Sequence, residues 1–90
     1  MYSVSQTNQF KKDIKVAKKC GLKMQLLDEV VTQLVENGKL PQKYKPHILK
    51  GGFSGFWECH IQPDWLLIWE QSDEIKLITL TRTGTHSDLF

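Results

Sequence analysis

The chain of 90 residues has no long apolar stretch. Its longest run without a polar residue, Trp65-Leu66-Leu67-Ile68-Trp69, falls far short of the ~20 residues that cross a bilayer. The N-terminal Met1-Tyr2-Ser3-Val4-Ser5-Gln6 has no basic segment leading into an apolar one, which argues against export and for a cytoplasmic protein. Only two cysteines are present, Cys20 and Cys59, and without a signal peptide they read as reduced thiols rather than a disulfide. Gly51-Gly52 is not followed by the Gly-Lys-Ser/Thr of a phosphate loop. There is no Cys-x-x-Cys and no His-Glu-x-x-His, so neither zinc nor another cofactor is expected. Cys59 and His60 are neighbours on a strand and face opposite ways. His86-Ser87-Asp88 holds the residue types of a catalytic triad, but a triad needs side chains converging from separate segments. Repeats, low-complexity segments and interdomain linkers are also absent, leaving one domain over residues 1–90.

What is present is globular in composition, 40% hydrophobic and 24% charged. The net charge of +2 hides an asymmetry: residues 1–50 carry ten lysines against four acids, whereas residues 51–90 carry Lys76 and Arg82 against six. All three tryptophans lie in the second half. Tyr2 and Val4 alternate with polar residues as in a short strand. Ser5 or Thr7 can then cap a helix whose apolar stripe is Phe10, Ile14 and Ala17. Lys11, Lys12, Lys15, Lys18 and Lys19 cover the rest of it, and Gly21 suits its C-terminal end. Met24, Leu27, Val30, Val31 and Leu34 mark a second helix over about 23–37, stopped by Gly38. The short connection makes the two helices an antiparallel hairpin.

After the Pro-containing loop 39–46 the period changes to two. His47–Lys50 reads as a short strand and Gly51-Gly52 with Gly55 as a turn. From Phe56 to Gln62, Trp57, Cys59 and Ile61 share one face, while Glu58 and His60 lie on the other. Trp65–Trp69 is apolar on both faces, as in a central strand. Ile75–Arg82 is the last strand, and residues 83–90 read as a tail. The order β-α-α-β-β-β-β predicts an α+β fold, with the helical hairpin on one face of a mostly antiparallel sheet and the other face concave and partly open.

Three histidines and one aspartate fall at strand ends: His47, His60, Asp64 and His86. Antiparallel neighbours would gather them on one exposed face. Imidazole, with an unperturbed pKa of ~6.5, both gives and takes protons near neutrality. Such a cluster under a lysine-rich rim suits acid–base attack on a phosphodiester. Each member also has a plainer role: Asp64 after Pro63 as a turn residue, the helix lysines as a solvated face, Phe90 as a frayed end.

Two strings are distinctive: Glu58-Cys59-His60-Ile61-Gln62-Pro63-Asp64-Trp65-Leu66-Leu67-Ile68 and Arg82-Thr83-Gly84-Thr85-His86-Ser87-Asp88-Leu89-Phe90. With Phe10-Lys11-Lys12-Asp13 and His47-Ile48-Leu49-Lys50-Gly51, they resemble the YafQ-like branch of the RelE/ParE toxin superfamily over nearly the whole chain. The resemblance implies a RelE-like microbial RNase fold. It implies a toxin of a type II toxin–antitoxin pair, an endoribonuclease that cuts messenger RNA in the ribosome without metal. It implies catalytic residues His47, His60, Asp64 and His86, with Trp65, Arg82, Phe90 and Lys50 contacting substrate. On this reading His86 is the general acid or base, His47 or Asp64 its counterpart, and His60 orients or stabilises charge. Trp65 or Phe90 would stack on a base. The expected partners are the ribosome, mRNA and an acidic antitoxin segment on the basic surface, with no membrane. Gly51-Gly52-Phe53-Ser54-Gly55 is more apolar than the resemblance leads one to expect, which counts against RNA contacts from that turn. A gyrase inhibitor of the ParE type, or an RNA-binding module without turnover, are the competing functions.

Overall fold

The computed structural model describes residues 1–90. β1 (Ser3–Gln6) leads into α1 (Asn8–Lys19) and α2 (Met24–Asn37). Then follow β2 (His47–Ile48), β3 (Trp57–Gln62), β4 (Trp65–Ser72), β5 (Leu77–Gly84) and a single helical turn, α3 (His86–Leu89). The strands form one sheet in the order β1-β5-β4-β3-β2. All neighbours are antiparallel except β1, which runs parallel beside β5. A parallel pair cannot be joined by a tight hairpin; here everything from α1 to β4 lies between the two strands, and the α1–α2 hairpin leads the chain from β1 at one sheet edge to β2 at the other.

The helix ends follow from local chemistry. Thr7, not Ser5, caps α1: its Oγ1 accepts the Phe10 N–H at 3.0 Å, and its hydroxyl donates to the Thr81 carbonyl at 2.8 Å. One side chain therefore starts the helix and ties it to β5. α2 stops where Gly38 turns left-handed, with φ 70° and its N–H on the Leu34 carbonyl at 2.7 Å. A Cβ there would sit 2.6 Å from the Tyr2 ring, so the position demands glycine twice over.

The main core lies between hairpin and sheet. Phe10, Leu27, Val30 and Leu34 pack on Cys59, Ile61, Trp65, Leu67, Trp69, Ile78 and Leu80. Each such side chain is worth roughly 1.5–3 kcal/mol of transfer free energy. Trp57 stacks on Trp69, with centroids 6.0 Å apart and planes 12° from parallel.

Three parts of the chain differ from the sequence expectation. β4 runs on to Ser72, and the following turn reaches Lys76, whose φ of 54° is left-handed, so β5 begins at Leu77 and leaves Ile75 exposed. The strand expected over 47–50 is only His47–Ile48; Gly51–Phe53 forms a 3₁₀ turn instead. The second sheet face is partly open, as expected, with Leu66, Ile68 and Leu89 forming a small cluster under Leu49, Phe53 and Phe56. The tail is ordered by a capping box in which Asp88 N–H donates to Thr85 Oγ1 at 3.2 Å and Thr85 N–H to Asp88 Oδ2 at 3.0 Å. Two orphan helix donors are thus satisfied reciprocally.

Candidate active site

The β3–β4 hairpin and the start of α3 meet at one end of the sheet. At the tip of the hairpin, a bulge between His60 and Gln62 shifts the register, a device that re-aims side chains. His60 Nδ1 lies 3.3 Å from the Pro63 carbonyl, across the turn. Because β5 is hydrogen-bonded to β4, α3 begins beside that same turn. Asp64 Oδ1 accepts both the ring Nδ1–H of His86 at 2.8 Å and its backbone N–H at 3.2 Å. His60 and His86 face each other with centroids 5.7 Å apart and planes tilted by 53°.

These contacts set the chemistry. The His86 ring hydrogen bond, then the backbone N–H, hold the Asp64 carboxyl below its ordinary value, so it stays ionised. A carboxylate on Nδ1–H fixes the tautomer that leaves Nε2 with a lone pair, and it stabilises the imidazolium when Nε2 takes a proton.

His47 is held elsewhere. It pairs across strands with Glu58, its Nε2 lying 3.2 Å from Oε1, and its Nδ1 lies 2.9 Å from the Lys45 carbonyl. Both ring nitrogens are occupied, and no hydrogen bond links it to the His60–Asp64–His86 group. Glu58 is buried, a residue the sequence pattern places on the histidine face without giving it a role. Its signal was an acid on a strand that is otherwise largely covered.

One expected substrate contact is corrected, and a second residue is engaged within the fold. Trp65 is 1% exposed and belongs to the main core, with its indole N–H on Thr83 Oγ1 at 2.9 Å, so it has no face to offer a base. Arg82 forms a two-point ion pair with Asp13, Nε to Oδ2 at 2.8 Å and Nη2 to Oδ1 at 3.2 Å. That pair holds the guanidinium above its ordinary pKa. Asp13 also accepts the Thr83 N–H at 3.1 Å, where β5 runs past the end of β1. The one acid on the lysine helix α1 was the signal for this role.

Phe90 is 64% exposed; its N–H bonds the His86 carbonyl at 2.9 Å, and its ring meets Phe53 edge-on at 5.7 Å. Phe53, from the turn whose apolar sequence counts against RNA contacts, packs against Phe90. Lys50 is exposed just before that turn. The five lysines of α1 are exposed as expected. No group of three or more His, Cys, Asp or Glu side chains is placed to hold a metal ion. No helix is long and apolar enough to cross a membrane.

A helical hairpin on a five-stranded mixed sheet, with a His–Asp pair at one sheet end, defines the class: a small α+β toxin fold. The family follows from the sequence itself. Residues 2–90 match the bacterial toxin of type II toxin–antitoxin systems called YafQ, and the chain belongs to that family. It is 40% identical over 88 residues to the mRNA interferase toxin YafQ of Escherichia coli K12, covering 97% of this chain and 94% of that protein. Its structure is similar to YafQ in the E. coli DinJ–YafQ complex, with a TM-score of 0.89 and 38% identity over 100% of this chain and 99% of that one. It is also similar to a metal-bound toxin from Helicobacter pylori, with a TM-score of 0.90 and 40% identity over the whole of both chains.

Proposed function

We propose that the protein is an mRNA interferase, an endoribonuclease that cuts messenger RNA on the ribosome in the bacterial cytoplasm, by proton transfer between its own side chains. The observation that carries this is His86, held through Nδ1 on the Asp64 carboxylate with its ring centroid 5.7 Å from that of His60. Cleavage of RNA needs no outside nucleophile. The ribose 2′-OH attacks the adjacent phosphorus, a base takes its proton, and an acid protonates the departing 5′-oxygen. The products are a 2′,3′-cyclic phosphate and a 5′-hydroxyl. Each transfer is worth about 10²–10⁴-fold when geometry is right.

We infer a different division of roles from the one expected from sequence. Asp64 is engaged with His86 and orients it rather than acting as its counterpart. His47 is engaged with Glu58 and Lys45. His60 is the imidazole that faces His86, so these two form the acid–base couple on the scissile linkage. Phe90, braced by Phe53, stacks on a neighbouring base.

The antitoxin partner fits a different face. A cleft of about 520 Å³ between α1, α2 and β1 is floored by Val4, Phe10 and Ile14 and rimmed by Lys11, Lys15 and Lys18. β1 is a sheet edge with every residue exposed. An acidic segment that adds a strand or lays an apolar stripe there would be bound by both backbone and charge.

The test is brief expression followed by mapping of transcript ends. Cuts at fixed codon positions that vanish with His86→Ala support the reading; intact transcripts in growth-arrested cells would refute it.

A further inference from the structure

A second cleft, of about 460 Å³, borders the site. It shares His60 with it but includes neither Asp64 nor His86. Lys43, Tyr44 and Lys45 line it as one stretch of wall, together with His60, Gln62 and Glu29 of α2. Its size lies within the roughly 300–1,000 Å³ usual for ligand clefts. Unlike the α1–α2 cleft it is lined mostly by polar residues.

The lysine wall is stiff. Gln42–Tyr44 is a 3₁₀ turn anchored by buried Tyr44, whose hydroxyl accepts from Gln33 Nε2 at 3.4 Å. Lys43 Nζ lies 5.0 Å from the centroid of the Tyr44 ring. Lys45 has a left-handed backbone, φ 51°, unusual for a side chain other than Gly or Asn. Its carbonyl is taken by His47 Nδ1. Strained residues of this kind persist where the surroundings over-determine them and cluster at working sites. Neither lysine forms an ion pair, so both charges are free for a ligand.

An RNA strand cut at the His60–His86 couple must leave the site in two directions. One is bordered by Phe90 and Phe53. We infer that the other runs through the Lys43–Lys45 cleft, whose two ammonium groups contact backbone phosphates of the mRNA flanking the scissile linkage. This rests on the endoribonuclease reading above. It adds a defined phosphate-binding subsite from a loop whose lysines the sequence offers only as part of a general basic surface. Glu29 is the single carboxylate lining the cleft and opposes the strand by like charge.

The experiment measures cutting of programmed ribosomes by wild type, Lys43→Gln/Lys45→Gln, Lys43→Arg/Lys45→Arg and Glu29→Gln. The double Gln variant should raise KM about tenfold with kcat little changed. Its log–log salt dependence should flatten by ~1.4, about 0.7 for each phosphate that is no longer neutralised. The Arg variant should restore KM, and Glu29→Gln should lower it. Unchanged KM and salt slope in the double Gln variant, with wild type cutting normally, would overturn the subsite alone. A wild type that cuts nothing would overturn the enzyme reading instead. Binding to ribosomes without mRNA is the remaining arm: weakening there by the same factor assigns the lysines to ribosomal RNA and refutes the inference. Circular dichroism confirms that these surface variants are folded.

Discussion

Trp65 donates its indole N–H to the Thr83 hydroxyl at 2.9 Å, and that hydroxyl in turn donates to the Leu66 carbonyl at 2.6 Å. The relay stitches β4 to β5 directly beneath the His–Asp pair. It makes Trp65 a structural residue, although its place next to Asp64 in the chain suggests contact with substrate.

Trp65→Phe should therefore act on stability. Removing the N–H leaves Thr83 short of a donor and leaves a small void, together costing about 2–3 kcal/mol. Thermal denaturation should show a drop of several degrees. Cutting measured well below the new midpoint should keep its KM and codon pattern; a changed codon pattern would return Trp65 to the substrate.

Asp64→Asn and His86→Ala should both abolish most cutting, the second by about 10²–10⁴-fold and the first by less, because the amide still reaches the ring while favouring the wrong tautomer. Both should leave the fold intact, since the pair is exposed. Equal activity of Asp64→Asn and wild type would remove Asp64 from the site.

The same pair has a pH signature. The Asp64 carboxyl titrates below its ordinary value in the folded protein, so its contact with His86 is fully formed above the usual carboxylate range. It is lost as pH falls through the depressed value. NMR titration of the carboxyl carbon should show this low midpoint, and in His86→Ala the midpoint should rise, since the main cause of the depression is gone. An unmoved midpoint would assign the depression to something else.

Asp13→Ala should destabilise by about 3 kcal/mol, for it strands a partly buried guanidinium and a buried backbone N–H together. Urea unfolding measures this. Arg82→Ala should cost less, because Asp13 keeps the Thr83 N–H.

The two cysteines should separate cleanly. Cys20 is exposed, whereas Cys59 is buried and its thiol is pushed up to about 12 by desolvation and by the neighbouring Glu58 charge. A thiol reagent at neutral pH should label one site in the native protein and two after denaturation. Native labelling of Cys59 would contradict the packing.

Hydrophobic periodicity made the two helices and the central strand legible, because each buries a stripe that sequence spacing reveals. Thr7 and Gly38 were legible as caps for the same local reason. The parallel placement of β1 was not, since pairing with a distant strand leaves no trace in local pattern. The convergence of His60, Asp64 and His86 came from strand ends and from the family resemblance together. Trp65 was misassigned because sequence proximity to a site does not say which face a side chain takes, and the Asp13 partner of Arg82 lies too far along the chain for spacing to reveal. His47 stands apart from the other two histidines because its partner, Glu58, lies across a strand pair. The capping box at Thr85 was written in the chain as T-x-x-D, but its aspartate replaces the commoner glutamate.

α3 is one helical turn, held by that capping box, by the His86 contacts to Asp64 and by buried Leu89, and a segment so short has no stability of its own. Regions of this kind exchange their amide protons through local opening long before the body of a protein melts. Detaching this turn would carry His86 away from Asp64 while the five strands stay paired. A molecule that captures Leu89 would then silence the toxin reversibly from outside the cleavage site.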